Sequence, residues 1–179
     1  MLLLVGKMAS GKDTLKKELI NMGMESIVTY TTRPPRPDEI NGISYHFISK
    51  EEFLQKEKQG FFAETTSYDV ATGDTWYYGS ALDDLTDDKV IIVNPQGLYQ
   101  LKKVKSLNLV SFYIMADQGI RFNRALKRQD HVNEINRRIN VDEYDFVNIE
   151  QEVDFIIKSD IGLNPHILAE IIYYSYKKC

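Results

Sequence analysis

Short, uninterrupted apolar runs alternate along the chain with segments whose apolar residues recur at helical spacing. The runs Leu2–Val5, Val90–Val93, Leu109–Met115 and Phe155–Ile157 are typical of strands buried on both faces. Buried strands that alternate with helices predict a parallel α/β sheet. A first helix is predicted after Gly6, where Thr14, Leu15, Leu19 and Ile20 recur at helical spacing. Further helices are predicted over Leu98–Val104, the charged region Ile120–Ile139, and about Pro165 to Tyr176.

A polar, aromatic-rich segment interrupts this alternation between about residues 30 and 88. Just before it, Ile27–Thr31 is rich in β-branched and aromatic residues and predicts a second strand. Within it, Tyr45–Ile48 predicts a short strand, Ser49 with Glu52 predicts a capping box that opens a helix, and Phe61–Tyr78 predicts a hairpin. Because the buried-strand pattern resumes afterwards, we interpret the segment as an insert within one domain.

The composition and charge of the chain exclude several classes of protein. A chain of 179 residues with 43% hydrophobic and 27% charged residues is typical of one globular domain and excludes a mainly disordered chain. The net charge of -4 argues against a nucleic-acid partner. The lone cysteine, Cys179, excludes an intrachain disulfide, and no apolar run approaches the ~20 residues that span a bilayer. We therefore expect a cytoplasmic protein without a membrane partner.

The turn after the first predicted strand carries the most recognisable motif. Gly6 to Lys12 reads G-x-x-x-x-G-K between a strand and a helix, the context in which a phosphate-binding loop operates. Backbone N–H groups and the helix N-terminus would surround phosphate oxygens, and Lys12 would neutralise them. The alternative is a glycine-rich turn with an incidental lysine. The candidate ATP-binding residues are Gly6, Ala9, Ser10, Gly11, Lys12, Asp13 and Thr14.

The residue after Lys12 departs from the usual motif, which has Ser or Thr there to hold Mg²⁺. Asp13 occupies that position, and Thr14 comes next. Two interpretations of Asp13 stay open: contact with Mg²⁺ through a water molecule, or stabilisation of the helix N-terminus by its charge, which we favour. Thr14 is the candidate for the hydroxyl that meets phosphate or metal.

A second phosphate site is indicated in the insert. Arg33 and Arg36 lie three residues apart on a proline-rich loop, and guanidinium groups present a planar set of donors suited to phosphate oxygens. Tyr45 adds a hydroxyl donor. Convergence of the three would make a monophosphate site, whereas the alternative is that both arginines are solvated loop charges.

The insert resembles the guanylate kinase family most closely. The matching segments are Thr31–Arg36, Tyr45–Ser49, Phe62–Glu64 and Tyr77–Ser80, and the resemblance extends over most of the chain. It implies a P-loop three-layer α/β/α sandwich with a parallel core sheet, a mixed β-rich monophosphate-binding insert and a helical lid. The core would comprise about residues 1–29, 89–116 and 143–179. The insert would comprise about residues 30–88, and the lid about residues 117–142.

The resemblance also implies a reaction, the phosphorylation of GMP (or dGMP) by ATP with Mg²⁺, in a monomer or homodimer. Glu64 would accept hydrogen bonds from N1 and N2 of guanine and would reject adenine, whose N1 is an acceptor. The implied GMP-binding residues are Arg33, Arg36, Tyr45 and Tyr78 at the phosphate, Glu64 and Ser80 at the base, with Thr29 and Asn94.

Arginines are dense after residue 120. Arg121, Arg124 and Arg128 share one helical face, and phosphoryl transfer between two anions needs cations over the transferred group. The resemblance assigns this role to Arg124, Arg128 and Arg138, with Arg137 as an alternative to Arg138. For Arg121 and Lys127 we expect solvated positions.

Three departures from the family pattern bear on base preference. Asn94 replaces a family aspartate, so its neutral carbonyl would hold the guanine 2-amino group less strongly. Ser159 stands near the adenine where the family usually has Asn, and Ser67–Trp76 is longer than the usual turn. Two alternatives therefore remain: a kinase for another nucleoside monophosphate with relaxed base specificity, or a non-catalytic binding domain, which the presence of Lys12 disfavours.

Overall fold

The structure is a computed structural model that describes residues 1–69 and 73–179. Its strands fall into two sheets that share no strand. In chain order the strands are β1 (Leu2–Val5), β2 (Glu25–Ser26), β3 (Tyr30–Thr31), β4 (His46–Phe47), β5 (Phe62–Asp69), β6 (Thr75–Ala81), β7 (Lys89–Val93), β8 (Val110–Met115) and β9 (Phe155–Lys158).

The helices fill the intervals that the hydrophobic pattern predicts. No helix in the described residues is long and apolar enough to cross a membrane. The α-helices are α1 (Lys12–Asn21), α2 (Lys50–Lys58), α3 (Pro95–Leu101), α4 (Gln118–Lys127), α5 (Val132–Asp145) and α6 (Pro165–Tyr176).

The core sheet is wholly parallel, with strand order β2-β7-β1-β8-β9. Alternate residues of β1 point to opposite faces, as the strand period requires. Leu2 and Leu4 pack with α1 and α6, whereas Leu3 and Val5 pack with α3 and the C-terminal end of α5. The predicted three-layer α/β/α sandwich is therefore confirmed.

The insert builds the second sheet, with order β4-β3-β6-β5 and mixed strand directions. Helix α2 closes its back through Phe53, which is fully buried and stacks on Phe62 at 4.5 Å between ring centroids. Gly79 lies under these rings, and a Cβ there would meet them at 3.0 to 3.1 Å. The aromatic core of the insert therefore holds the hairpin β5–β6 against α2.

Several predicted boundaries are wrong in detail. Residues 27–31 are not one strand, because the chain leaves the core sheet after β2 and enters the second sheet at β3. The charged region 120–139 forms two helices separated at residues 128–131, where Gln129 has φ of 64°. Helix α3 begins at Pro95 because Asn94 caps it.

The long segment Ser67–Trp76 forms the ends of β5 and β6, and its residues 70–72 lie outside the described residues. The division of the chain into core, insert and lid stays a prediction.

Leu4→Ala should destabilise the protein strongly. Leu4 is fully buried in the central strand, and truncation of a buried leucine costs roughly 2–5 kcal/mol because a cavity remains. Urea unfolding followed by circular dichroism measures the change. Leu82→Ala, at an exposed leucine, is the matched control and should change stability by less than about 0.5 kcal/mol. Equal effects of the two substitutions would contradict the assigned core.

Candidate functional site

A cleft of about 860 Å³ lies between the turn after β1, the second sheet and helix α5. It brings together residues that are far apart in the sequence. Among the predicted site residues, its lining includes Gly6, Ala9, Lys12 and Asp13 from the turn, Thr29 before β3, Arg33, Arg36, Tyr45, Glu64 and Tyr78 from the insert, Asn94 after β7, Arg128 after α4 and Arg138 on α5.

The turn after β1, predicted as a phosphate-binding loop, packs closely against the core sheet. Gly6 packs so tightly that a Cβ there would lie 2.6 Å from the Ile114 carbonyl oxygen, and Gly11 has φ of 102° immediately before α1. Lys12 Nζ donates to the carbonyl oxygens of Gly6 at 2.5 Å and Lys7 at 2.9 Å. Burial lowers the pKa of Lys12 to about 8, although Asp13 and Asp142 oppose the shift. The lysine is thus desolvated and held at the cleft.

Arg124 and Ser159 hold the backbone of this loop through hydrogen bonds. The Arg124 guanidinium donates to the carbonyl oxygen of Ser10 at 3.2 Å, and to Oγ and the carbonyl oxygen of Ser159 at 3.2 and 2.8 Å. Ser159 Oγ itself donates to the Ser10 carbonyl at 2.5 Å. Arg124 therefore fixes the loop backbone in the structure, whereas Arg128 and Arg138 line the cleft.

The expectation that Arg121 is solvated is wrong. Only 2% of Arg121 is exposed, and its Nη1 lies 3.4 Å from the Asp142 carboxylate. Asp142 also accepts a hydrogen bond from the Met8 backbone N–H at 2.7 Å. Helical spacing placed Arg121, Arg124 and Arg128 on one face but could not show that Arg121 packs inward against Asp142 of α5. Asp142 was missed because its carboxylate belongs to no motif.

The predicted monophosphate site is assembled around Arg33. Only 5% of Arg33 is exposed, and its Nη2 contacts the two carboxylate oxygens of Glu39 at 2.7 and 2.8 Å. Its guanidinium carbon lies 5.4 Å from the centre of the Tyr45 ring, which in turn meets Tyr78 edge-on. Arg36 is exposed, and among the described residues its guanidinium has no hydrogen-bond or ion-pair partner.

Glu64 lies on β5 and lines the cleft. It pairs across the hairpin with Ser80, whose Oγ donates to Glu64 Oε1 at 2.7 Å. Only 7% of Glu64 is exposed, and burial raises the pKa of its carboxyl group. A buried carboxylate with one oxygen already satisfied is suited to accept hydrogen bonds from a ligand.

Asn94 lies next to Glu64, and its side chain makes two hydrogen bonds within the protein. Its Oδ1 accepts from the backbone N–H of Gly97 at 2.8 Å and caps α3. Its Nδ2 donates to the hydroxyl of Tyr68 at 3.0 Å. Tyr68 was not predicted as a site residue, although Glu64, Thr66 and Tyr68 alternate along β5 and all line the cleft.

Two carboxylates hold the arginines of α5 and of the turn before it. Glu134 contacts Nε of both Arg137 and Arg138 at 2.8 Å, and these bonds lower the pKa of Glu134 to about 2. Arg128 pairs with Asp130 at 2.8 Å. All of these side chains are at least one third exposed.

The candidate metal contacts differ in position. Asp13 lines the cleft beside Lys12, whereas Thr14 is exposed and is absent from the lining residues in the described part of the chain. Within residues 1–69 and 73–179, no group of three or more His, Cys, Asp or Glu side chains is placed to hold a metal ion. Mg²⁺ commonly takes one or two carboxylates together with substrate phosphates, and Asp13 fits that donor set.

Comparison with known proteins settles the family. A sequence model described as guanylate kinase matches residues 1–172. The chain belongs to the guanylate kinase family. A guanylate kinase of Helicobacter hepaticus is 32% identical over an alignment of 185 residues, and this alignment covers 96% of this chain and 88% of that protein. A guanylate kinase of Paraburkholderia xenovorans is 31% identical over 150 residues.

The extent of the match differs among family members. The alignment covers 78% of this chain and 64% of the Paraburkholderia protein, just under two thirds of its length. The crystal structure of guanylate kinase from Anaplasma phagocytophilum superposes with a TM-score of 0.71 at 22% identity, covering 99% of this chain and 84% of that one. The guanylate kinase fold therefore extends over the whole chain.

Glu64→Gln should raise the thermal stability of the ligand-free protein at neutral pH. The folded state raises the pKa of Glu64 above its ordinary value of 4.5, so an ionised Glu64 opposes folding above that pH. Gln keeps the acceptor for Ser80 without the charge. We expect a higher Tm for the variant at about pH 7.5 and a difference that shrinks towards about pH 4.5, by calorimetry.

Glu25→Gln is the matched control, because Glu25 is exposed on β2. It removes the same charge and should leave Tm nearly unchanged at both values of pH. A lower Tm for Glu64→Gln at neutral pH would show that the buried carboxylate stabilises the fold instead.

Proposed function

We propose that this chain transfers the γ-phosphoryl group of ATP to GMP, producing ADP and GDP. The observation that carries the proposal is one cleft holding both a phosphate-binding loop with Lys12 and a second cationic site with Arg33 and Arg36. A phosphate-binding loop alone indicates nucleotide binding. The second site supplies a place for an acceptor phosphate, and the relatives that carry the name guanylate kinase support the same reaction.

The acceptor would lie along the insert wall. Arg33, Arg36, Tyr45 and Tyr78 would bind its phosphate, and Glu64 would accept hydrogen bonds from the N–H groups of guanine. Glu39 preorganises Arg33 by holding its guanidinium in place, so little side-chain entropy is lost when phosphate arrives. The supporting observation is that the two arginines, both tyrosines and the buried Glu64 line the same cleft.

ATP would lie on the loop after β1. Backbone N–H groups between Gly6 and Lys12 would surround its phosphates, and Lys12 would leave its carbonyl partners to neutralise them. Anionic phosphate would raise the pKa of Lys12 from the value of about 8 that burial imposes, so the lysine is charged when ATP is bound. Catalysis by such a site rests on positioning and charge neutralisation.

Arg128 and Arg138 would complete the cationic surface over the transferred group, with Arg137 beside them. Their contacts with Asp130 and Glu134 are exposed ion pairs, which are worth roughly 0–1 kcal/mol each. Such pairs exchange readily for the more highly charged phosphate groups. Arg124 would act on the same site through its hold on the loop backbone.

Mg²⁺ fits this site as a companion of ATP. Asp13, on the cleft wall beside Lys12, would hold the ion through water, and Thr14 is the hydroxyl that the sequence predicts to meet phosphate or metal. When bound, the ion neutralises charge on the phosphate oxygens. We further propose a cytoplasmic enzyme that acts as a monomer or homodimer, as the composition and the nature of its nucleotide substrates suggest.

Lys12→Ala should reduce phosphorylation of GMP by about 10²-fold or more, because the cation at the transferred phosphate is removed. A coupled assay of ADP release with Mg²⁺ measures the rate. Lys17→Ala removes an exposed lysine from the same helix and should leave the rate unchanged. Full activity of Lys12→Ala would contradict the assignment of the phosphate-binding loop.

Arg36→Ala should raise the KM for GMP and leave the KM for ATP nearly unchanged. It removes a charge-assisted contact worth roughly 1.5–3 kcal/mol, about 10- to 150-fold in affinity. Arg33→Ala should act in the same direction, with an added loss of stability because Glu39 is left without its partner.

Initial rates over a grid of both substrates separate the two KM values. Lys58→Ala, at the exposed end of α2, is the matched control. If Arg36→Ala weakened ATP as much as GMP, the assignment of two separate phosphate sites would be wrong.

A further inference from the structure

The loop after β1 contains a residue with a strained backbone. Ala9 has φ of 56°, in the left-handed region, where a Cβ crowds the neighbouring carbonyl oxygen and which glycine adopts freely. The Ala9 side chain packs against an apolar cluster of Ala125, Ile135 and Ile139 from α4 and α5. A conformation of this kind persists only where the contacts around it hold it in place.

Hydrogen bonds hold the backbone on both sides of Ala9. Before it, the backbone N–H of Met8 donates to Asp142 Oδ2 at 2.7 Å. At and after it, the Arg124 guanidinium donates to the carbonyl oxygens of Ala9 at 3.4 Å and Ser10 at 3.2 Å. Asp142 belongs to α5 and Arg124 to α4, so the strained residue is fixed between two helices.

Asp142 is itself held in position. Its Oδ2 lies 3.4 Å from Nη1 of the buried Arg121, whose Nε donates to the carbonyl oxygen of Ala116 at 3.3 Å. The next residue of α5, Glu143, accepts a hydrogen bond from Lys7 Nζ at 2.7 Å. Helix α5 therefore meets the loop through two consecutive acidic residues, and the first of them binds its backbone.

The conformation of Ala9 sets the direction of the backbone N–H groups that follow it. Such groups would surround phosphate oxygens in the proposed ATP site. A loop that is already held in one conformation loses less conformational entropy when its ligand binds. The contact between Asp142 and Met8 is therefore suited to strengthen ATP binding without any contact between Asp142 and the nucleotide.

We propose that Asp142 is a positioning residue for ATP: through the Met8 N–H it keeps Ala9 in the left-handed conformation and so preorganises the loop after β1. The inference rests on the proposed function, because it requires ATP to bind that loop. Glycine adopts the left-handed region without strain, so the need for Asp142 depends on the side chain at position 9.

The test measures the Kd for ATP with Mg²⁺, and separately the Kd for GMP, by titration calorimetry. Asp142→Ala should raise the Kd for ATP about tenfold or more, because a charge-assisted hydrogen bond to the loop is lost, and should leave the Kd for GMP within about twofold. Asp142→Asn keeps an acceptor for Met8 and should stay within about threefold of wild type for ATP. Glu150→Ala removes an exposed carboxylate beyond α5 and is the matched control, with neither Kd changed.

Ala9→Gly distinguishes positioning of the loop from a merely structural role of Asp142 in α5. In the Ala9→Gly background the loop is no longer strained, so Asp142→Ala should raise the Kd for ATP by no more than about threefold. A merely structural role would produce the same loss in both backgrounds.

A second pair of variants covers a failure of Asp142→Ala to fold, since that substitution removes the nearest carboxylate from the buried Arg121. Arg121→Met removes the charge that needs a partner. Combined with Asp142→Ala, it should show the tenfold loss of ATP affinity, whereas combined with Asp142→Asn it should not.

Two results would overturn the inference: a Kd for ATP that Asp142→Ala leaves unchanged or lowers, or an equal loss in the Ala9 and Ala9→Gly backgrounds. A lowered Kd would show that Asp142 competes with phosphate for the loop and for Lys12. The expected response of ATP binding without phosphoryl transfer to GMP contradicts the proposed function alone. Transfer to GMP with ATP binding that is independent of Asp142 contradicts the inference alone.

Discussion

Close packing at the end of β1 is the constraint on which the rest of the site depends. Gly6 lies so near the Ile114 carbonyl that no side chain fits, and the chain must turn there into α1. The turn places successive N–H groups and Lys12 at the carboxyl edge of a parallel sheet, where α/β folds bind ligands. Contacts from Arg124 and Asp142 then hold the loop in place from two other helices.

The cleft gathers many cations, and apart from Arg36 those described above have a carboxylate or carbonyl partner. Glu39 holds Arg33, Glu134 holds Arg137 and Arg138, and backbone carbonyls hold Lys12. These partners offset the mutual repulsion of the cations when no phosphate is bound. The surface pairs are weak enough to be exchanged, whereas the pair of Arg33 with Glu39 is buried and fixes geometry.

Glu64 shows how function opposes stability at this site. A buried carboxylate with a raised pKa is costly in the empty protein, and Ser80 satisfies only one of its oxygens. Neighbouring Asn94 joins β5 to α3 through its hydrogen bonds with Tyr68 and Gly97. The same polar cluster thus links the second sheet to α3 and presents its remaining groups to a ligand.

The sequence by itself determined the parallel sheet, the glycine-rich turn after β1 and about half of the residues that line the cleft. Local sequence patterns predict these features, because buried strands, helix caps and glycine turns each depend on residues that are consecutive in the chain. The cap at Ser49 and the helix Pro165–Tyr176 are confirmed for that reason.

Only the tertiary structure decided which groups face each other across the cleft. Helical spacing could not show that Arg121 is buried against Asp142, since both faces of α4 carry charge and the partner lies in another helix. The contact of Tyr68 with Asn94 depends on how the hairpin β5–β6 packs against α3. It joins residues that are 26 positions apart in the sequence. Such contacts arise from packing between elements, and no periodicity within one element encodes them.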